Sequence, residues 1–227
     1  MEVKIQHRPS YALAVAELEP NEPIQVEAGS MVGVSADMTI ETKAQSGILK
    51  SLARSMLGGE SFFVNTYQAS DQGGRILLAP ALPGDMVVQP MQDEILFVQS
   101  GSYVASSHGI DLSASWGGAK TFFAREGLIL LKIRGTGTLV LSTYGAIDEM
   151  ELDDGETFTV DTGHLVAFSD KLGINVRRVG GLKSTLFSGE GLVVDLTGPG
   201  HLWLQTRSED AFLTWLIPKI PKRDSGD

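Results

Sequence analysis

The sequence contains no cysteine, which excludes disulfide cross-links, thiolate metal sites and cysteine nucleophiles. It also lacks any uninterrupted apolar run approaching the ~20 residues that a membrane-spanning helix needs. The first ten residues, MEVKIQHRPS, do not contain the apolar core of a signal peptide. Together these absences predict a cytoplasmic protein.

Basic residues are also few, because 18 lysines and arginines stand against 28 acidic residues and the net charge is −10. A chain this acidic repels phosphate backbones and anionic lipid headgroups unless its basic residues are strongly segregated. Nucleic acid is therefore a disfavoured partner, and we interpret the charge as a means of keeping the protein soluble.

Residue types that carry catalysis or bind metals show no recognisable spacing. No two of the four histidines lie within ten residues of each other, so the paired-histidine pattern of a β-barrel metal site is absent. The sequence also lacks a GxSxG nucleophile motif, a GxGxxG loop and a Walker lysine motif. We therefore predict no catalytic residue, no metal ion and no cofactor.

What the sequence does contain is an ordinary globular balance, with 42% hydrophobic and 20% charged residues among 227. Its 26 glycines are scattered between apolar runs, as the turns of a β protein require. Two short stretches have a helical pattern. The predicted fold class is all-β, with two short helices.

Three segments of the chain align with one another without a gap. Each opens with glutamate and repeats valine, glycine, valine and serine at the same offsets: EPIQVEAGSMVGVS from Glu22, EILFVQSGSYVASS from Glu94 and ETFTVDTGHLVAFS from Glu156. Alternating apolar residues before the glycine predict a strand that is buried on one face. The shared glycines are predicted to adopt a positive φ or to allow close backbone approach; they are Gly29, Gly101 and Gly163.

Two further blocks follow each of these segments in the same order. The second block holds a glutamate beside a glycine, at Glu60, Glu126 and Glu190. The third opens with a glycine every 63 residues, at Gly74, Gly137 and Gly200. Three blocks in one order indicate a tandem triplication of one module. Because a module of this size is marginally stable alone and has open sheet edges, we predict closure by homo-oligomerisation, in a ring.

The blocks divide the chain into four parts. β unit 1 spans residues 1–88 and carries a helical insertion near residues 47–57, β unit 2 spans 89–152, and β unit 3 spans 153–208. A C-terminal helix and tail occupy residues 209–227.

Both predicted helices have apolar surfaces that need a partner. The inserted helix combines an apolar stripe with Lys50 and Arg54, and we interpret it as cover for a sheet edge or a subunit contact. A membrane-surface or partner-binding helix is the second interpretation. The C-terminal helix begins with an N-cap pattern at Ser208 and is stopped by Pro218, and its two apolar faces are expected to bury against the same or a neighbouring subunit.

Five polar residues stand out as possible positions at borders between units. Glu60, Glu126 and Glu190 place equivalent carboxylates around an axis or in ligand clefts, or they accept backbone N–H groups in tight Gly-Glu turns. The second interpretation is favoured because structural needs repeat wherever a fold repeats. Asp161 and His164 are near neighbours in unit 3 alone, which favours a turn with a hydrogen-bonded histidine over a catalytic site.

Motifs distributed along nearly the whole chain resemble the mitochondrial biogenesis family named for altered inheritance of mitochondria protein 24. They are EAGSMVGVS, GGESFFVNTY, LLAPALPGDM, GTGTLVLSTYGAI, GETFTVDTGHLVAF and LFSGEGLVVDLTGPGHLWLQTRS. The resemblance implies a bacterial member of unknown function with a fold similar to the tryptophan RNA-binding attenuation protein. It also implies three units per chain related to the double-stranded β-helix, and chains that form a trimer.

Four function classes are compatible with these observations. The first is a non-enzymatic oligomeric scaffold that binds a ligand or a protein partner. The second is RNA binding by analogy with the attenuation protein, although a fold does not transmit its function. The third is a cryptic enzyme with a cleft between units, and the fourth is peripheral membrane contact through residues 47–57 or the tail.

Overall fold

The computed structural model describes residues 1–41, 62–114, 129–178 and 192–221, and within these ranges the protein is mostly β. The first seven strands are β1 (Glu2–Gln6), β2 (Leu13–Leu18), β3 (Pro23–Glu27), β4 (Met31–Val34), β5 (Thr39–Glu41), β6 (Val64–Gln68) and β7 (Gly74–Leu78). Four longer or central strands follow, β8 (Met86–Gln99), β9 (Tyr103–Ser107), β10 (Ile110–Ala114) and β11 (Leu130–Ser142). The last six are β12 (Ile147–Leu152), β13 (Thr157–Asp161), β14 (Leu165–Ser169), β15 (Gly173–Arg178), β16 (Leu192–Thr197) and β17 (Gly200–Gln205).

One α-helix, α1 (Glu209–Leu216), follows the last strand at the position that the sequence predicts. The Ser208 side chain accepts a hydrogen bond from the Ala211 N–H at 3.4 Å, and Pro218 lies in a single 3₁₀ turn just after the helix. The helix predicted near residues 47–57 lies outside the described residues. In the described part of the chain, no helix is long and apolar enough to cross a membrane.

The same antiparallel pairings occur three times along the chain. In the first part, β7 pairs with β2 and β4, and β6 pairs with β3 and β5. In the last part, β17 pairs with β12 and β14, and β16 pairs with β13 and β15. In the middle part, the single long strand β11 corresponds to both β6 and β7 of the first part. It pairs with β8, β9 and β10. The unit boundaries at residues 88, 152 and 208 stay a prediction.

Strands β8 and β11 are long because each continues as a strand at the position where the first and last parts of the chain form a turn. In those turns the carboxylates of Glu22 and Glu156 accept the N–H groups of Glu19 and Asp153, each at 2.9 Å. At the equivalent Glu94 the chain continues as one strand, and a register shift between Gly135 and Thr136 absorbs the mismatch. The repeated glutamate therefore closes a turn at two of its three positions.

The repeated serine has one structural role in all three parts. The hydroxyl oxygens of Ser35, Ser107 and Ser169 each accept a hydrogen bond from a backbone N–H at the start of the third sequence block. The donors are Arg75 at 2.9 Å, Thr138 at 2.9 Å and His201 at 3.2 Å. The donors recur every 63 residues, as the glycines before them do.

The three repeated glycines do not share one conformation. Gly29 has a φ of +99°, as predicted, and a Cβ added at Gly163 would lie 2.6 Å from the Ser208 hydroxyl, as close approach requires. The prediction is wrong at Gly101, where φ is not in the left-handed region and an added Cβ would meet nothing within 4 Å. Gly101 lies in a 3₁₀ turn, Ser100–Ser102, which any residue can adopt.

Neighbouring parts of the chain are joined by edge-to-edge strand pairing. Strand β3 pairs with β9, with Val26 opposite Ala105, and β8 pairs with β14 at the equivalent step, with Val98 opposite Ala167. The hydrophobic clusters follow the same order, because the first cluster includes Val104 and Val140 from the middle part. The second cluster in turn includes three residues from the last part, Val166, Ala167 and Trp203.

An ion pair between half-exposed Arg8 and buried Asp85 fixes the N-terminal hairpin to the start of β8. The Arg8 guanidinium donates two hydrogen bonds to Asp85, at 2.8 and 2.9 Å, and Asp85 also accepts the Met86 N–H at 2.8 Å. The Asp85 side chain is 4% exposed. The hydrogen bond to this carboxylate raises the pKa of Arg8.

We expect Arg8→Ala to lower the free energy of unfolding by about 1–3 kcal/mol, because it leaves a buried carboxylate with its charge uncompensated. Denaturant unfolding measures the change. The matched control is Arg75→Ala, which removes an exposed ion pair with Glu17 and should cost less than about 1 kcal/mol. Equal losses in the two variants would contradict this role for the Arg8–Asp85 pair.

Candidate functional site

A cleft of about 550 Å³ lies where all three parts of the chain meet helix α1. Most of its lining comes from four places: the loop at Pro80, Ala81 and Leu82, the 3₁₀ turn Ser100–Ser102, residues Ser142–Tyr144, and Gln205, Ser208, Glu209, Asp210 and Leu213 at the C-terminal end. Glu27, Phe62, Gln99, Ile129 and Gly163 complete it. Concave sites that combine apolar walls with a few polar groups are where proteins bind small molecules.

Buried polar contacts hold the floor of the cleft. The Gln99 side chain is 8% exposed and donates a hydrogen bond to the Thr162 carbonyl at 2.7 Å, which joins the end of β8 to the turn after β13. Behind the lining residue Phe62, the ring of Tyr103 packs edge-on against it with centroids 5.5 Å apart, and its hydroxyl bonds with Ser106 at 2.9 Å. Burial, and to a lesser degree the charge of Glu27 in the cleft, raises the pKa of the Tyr103 phenol, so it stays neutral.

Gln205 ties two walls of the cleft together. Its Oε1 accepts the Tyr144 N–H and its Nε2 donates to the Gly163 carbonyl, both at 2.9 Å. Its backbone carbonyl accepts from His164 Nδ1 at 2.7 Å. One side chain at the end of β17 therefore sets the spacing of two loops that belong to different parts of the chain.

Helix α1 forms the outer wall of the cleft. Its first turn carries Glu209 and Asp210, which favour a helix N-terminus electrostatically, and Leu213 faces the cleft one turn later. Phe212 packs edge-on against Tyr144, with ring centroids 6.0 Å apart. The helix has no fully buried residue, and the described parts of the chain cover its apolar faces only in part, at Phe212 and Leu216.

Several large apolar side chains of this C-terminal segment are exposed. Leu213 is 38% exposed, Trp215 58% and Ile217 60%, and the Lys219 ammonium lies 4.8 Å from the Trp215 ring centroid. Burial against a neighbouring subunit stays a prediction for these side chains.

The predicted polar positions fall into two groups. Glu60, Glu126 and Glu190 lie outside the described residues. Asp161 and His164 each have a separate backbone partner, because Asp161 accepts the Gly163 N–H at 2.8 Å while His164 contacts Gln205. The arrangement is a turn with a hydrogen-bonded histidine.

Three of the four equivalents of Asp161 and His164 in the other parts of the chain line the cleft. Glu27 and Gln99 match Asp161, and Ser102 matches His164. Glu27 accepts a hydrogen bond from Ser30 at 2.9 Å, so this pair too is held in a local turn. A role for any of these positions at borders between units stays a prediction.

Other residues that line the cleft belong to no recognisable sequence motif. The Gln205 side chain bonds to backbone groups of two distant loops, at Tyr144 and Gly163, and no local sequence pattern indicates such contacts. The carboxylates of Glu27, Glu209 and Asp210 line the same opening as the rings and aliphatic chains of Phe62, Ile129 and Leu213. Among residues 1–41, 62–114, 129–178 and 192–221, no group of three or more histidine, aspartate and glutamate side chains is placed to hold a metal ion.

Comparison with known proteins gives consistent matches over almost the whole chain. Residues 3–207 match the profile of the family described as mitochondrial biogenesis AIM24. An uncharacterised protein of Streptococcus pyogenes serotype M6 is 29% identical over 233 residues, which cover 97% of this chain and 92% of that protein. A crystal structure of a Streptococcus pyogenes protein superimposes with a TM-score of 0.81 at 26% identity, covering 96% of this chain and 99% of that one.

We expect Gln205→Leu to lower the free energy of unfolding by about 1–3 kcal/mol, because the Tyr144 N–H and the Gly163 carbonyl lose their partner. Thermal or denaturant unfolding measures the loss. The control is Gln89→Leu, whose side chain bonds only to the adjacent Pro90 carbonyl at an exposed site and should change stability by less than about 0.5 kcal/mol. A neutral Gln205→Leu variant would contradict the bridging role.

Proposed function

The chain belongs to the mitochondrial biogenesis AIM24 family, and we propose that it is a non-enzymatic, homo-oligomeric scaffold that binds a small-molecule or protein partner. The observation that carries this proposal is the edge-to-edge pairing that joins β3 to β9 and β8 to β14. An array built from one repeated contact extends to further copies of the same chain as readily as within it.

Sheet energetics supports association of several chains. An open strand edge presents unpaired N–H and C=O groups, and proteins cover or pair such edges. Within the described residues, pairing between neighbouring parts covers the edges of β9 and β14, while the equivalent edges of β4 and β13 have no partner strand. We propose a closed ring of three chains, with three double-stranded β-helix-like units in each and an architecture like that of the tryptophan RNA-binding attenuation protein. The number three comes from the resemblance to the family.

The cleft is the proposed binding site for the partner. It lies between walls that Gln99 and Gln205 hold in place through buried or half-buried hydrogen bonds, so its shape is set before any ligand arrives. Preformed sites lose less conformational entropy on binding. Carboxylates at the opening and the net charge of −10 oppose the phosphates of RNA, so RNA binding gains no support from this site.

The oligomer is tested by measuring the mass of the purified protein in solution. Light scattering after size exclusion should give three times the chain mass of 24.3 kDa, unchanged on dilution to low micromolar concentration. A mass of one chain under these conditions would contradict the proposal. A stable dimer or tetramer would keep the oligomeric scaffold and reject the trimer.

The cleft is tested by filling it at Gly101. Because an added Cβ meets nothing within 4 Å there, Gly101→Leu should fold normally while it occupies part of the cleft. Small molecules released by denaturing the purified protein, and identified by mass spectrometry, should fall at least about tenfold relative to the parent, which corresponds to ~1.4 kcal/mol of binding free energy.

The matched control for this experiment is Gly173→Leu. An added Cβ at Gly173 meets only Thr197, at 3.5 Å or more, and neither residue lines the cleft. This variant should retain the same molecules as the parent. Equal retention in Gly101→Leu and Gly173→Leu would contradict binding in the cleft.

A further inference from the structure

The two kinds of strand edge that pair between neighbouring parts of the chain each recur once, at β4 and at β13, without a partner strand among the described residues. Strands β9 and β14 are each covered by a strand from the preceding part of the chain, β3 and β8 respectively. Strand β4 occupies the equivalent place in the first part, and within the described residues it pairs only with β7. Strand β13 is the last equivalent of β3, and in the same ranges it pairs only with β16.

Strand β4 exposes apolar side chains to solvent. Met31 and Val32 of β4 are 38% and 59% exposed. Their equivalents in the covered strands are all 0% exposed: Tyr103 and Val104 in β9, and Leu165 and Val166 in β14. The first repeat thus displays apolar residues in the positions where the other two repeats bury them.

The β13 side shows the complementary exposure. Phe158 is 38% exposed, whereas its equivalents Ile24 and Leu96 are 0% and 2% exposed. A large exposed apolar side chain on an open strand is a site of association or of aggregation. The chain therefore ends in two surfaces that match the two halves of a contact it already makes twice.

We propose that β13 of one chain pairs antiparallel with β4 of a second copy, in the register of the two pairings within the chain. In those pairings Ile24 lies opposite Ser107 and Val26 opposite Ala105, and the second repeats this alignment with Leu96 opposite Ser169 and Val98 opposite Ala167. Applying the same alignment places Phe158 opposite Ser35, Thr159 opposite Val34, and Val160 opposite Gly33. The inference rests on the proposed oligomer and specifies how it is held together.

This contact is heterologous, because the two surfaces differ. A heterologous contact generates a ring when its rotation closes and a filament when it does not. Pairing of β4 with β4 from a second copy would leave β13 and Phe158 uncovered, so it does not account for both open edges. The head-to-tail arrangement covers both edges with every copy added.

Engineered cysteines test the register directly, because the chain has no cysteine of its own. The variant Val34→Cys/Thr159→Cys places two thiols on directly opposite residues, whose Cα atoms are about 4.5–5.5 Å apart in antiparallel pairs and within disulfide range. After mild oxidation, non-reducing gels should show covalent multimers up to the size of the native oligomer, and these should collapse to single chains on reduction.

The matched control is Val34→Cys/Thr157→Cys, which moves one thiol two residues along the same face of β13. Diagonal neighbours lie about 7–8 Å apart, beyond disulfide reach, so the linked fraction should be at least about fivefold smaller. Equal linkage of the two variants would overturn the register.

The remaining outcomes separate this inference from the oligomer itself. An oligomer of normal mass in which Val34→Cys/Thr159→Cys forms no interchain disulfide would overturn the β13–β4 contact and leave the oligomer standing. An intrachain disulfide in a single chain would show that the chain closes on itself, which also overturns the contact. A single-chain mass for the unsubstituted protein would reject both proposals.

A second variant tests the contact without cross-linking. Val32→Glu places a charge on the exposed edge of β4 and should dissociate the oligomer with little effect on the fold of one chain, because Val32 is already 59% exposed. The control is Tyr11→Glu, at a residue 76% exposed outside both strands, which should leave the mass unchanged. A Val32→Glu protein of native oligomeric mass would contradict the inference.

Discussion

Edge-to-edge pairing of antiparallel strands is the interaction on which the rest of this structure depends. It joins β3 to β9 and β8 to β14, and each junction brings apolar side chains of one part of the chain into the core of the next. A module of about 63 residues is only marginally stable by itself, so cores shared across the junctions stabilise each part of the chain. The cleft exists because these junctions bring turns from all three parts beside helix α1.

Pairing between neighbouring parts of the chain also explains why some repeated polar residues keep one role and others do not. The serines Ser35, Ser107 and Ser169 bond within their own part of the chain, so their role is the same three times. Gln99 instead bonds across a junction to Thr162, while its counterpart Glu27 bonds locally to Ser30. Equivalent residues at the junctions can differ because the first and last parts of the chain have different neighbours. Gln99 and Glu27 are such residues, and both line the cleft.

Local periodicity and repetition were enough to predict the β class, the first strand of each repeat and helix α1 with its Ser208 cap. They failed at Gly101, because a shared glycine does not imply a shared φ. The continuous strands β8 and β11 were also not predicted, since the turn glutamate Glu94 resembles Glu22 and Glu156 in sequence although no turn forms there. The bridging role of Gln205 could not be predicted from the sequence, because its partners are backbone groups of Tyr144 and Gly163, which are 61 and 42 residues away.

Hydrogen–deuterium exchange of the assembled protein tests the central claim most directly. If β4 and β13 are paired between copies, the amides of residues 33–35 and 158–160 that point away from β7 and β16 should exchange as slowly as their counterparts in β9 and β8, since paired backbone groups open only with their sheet. Exchange of those amides at the rate of open loops, while β8, β9 and β14 remain protected, would contradict the account.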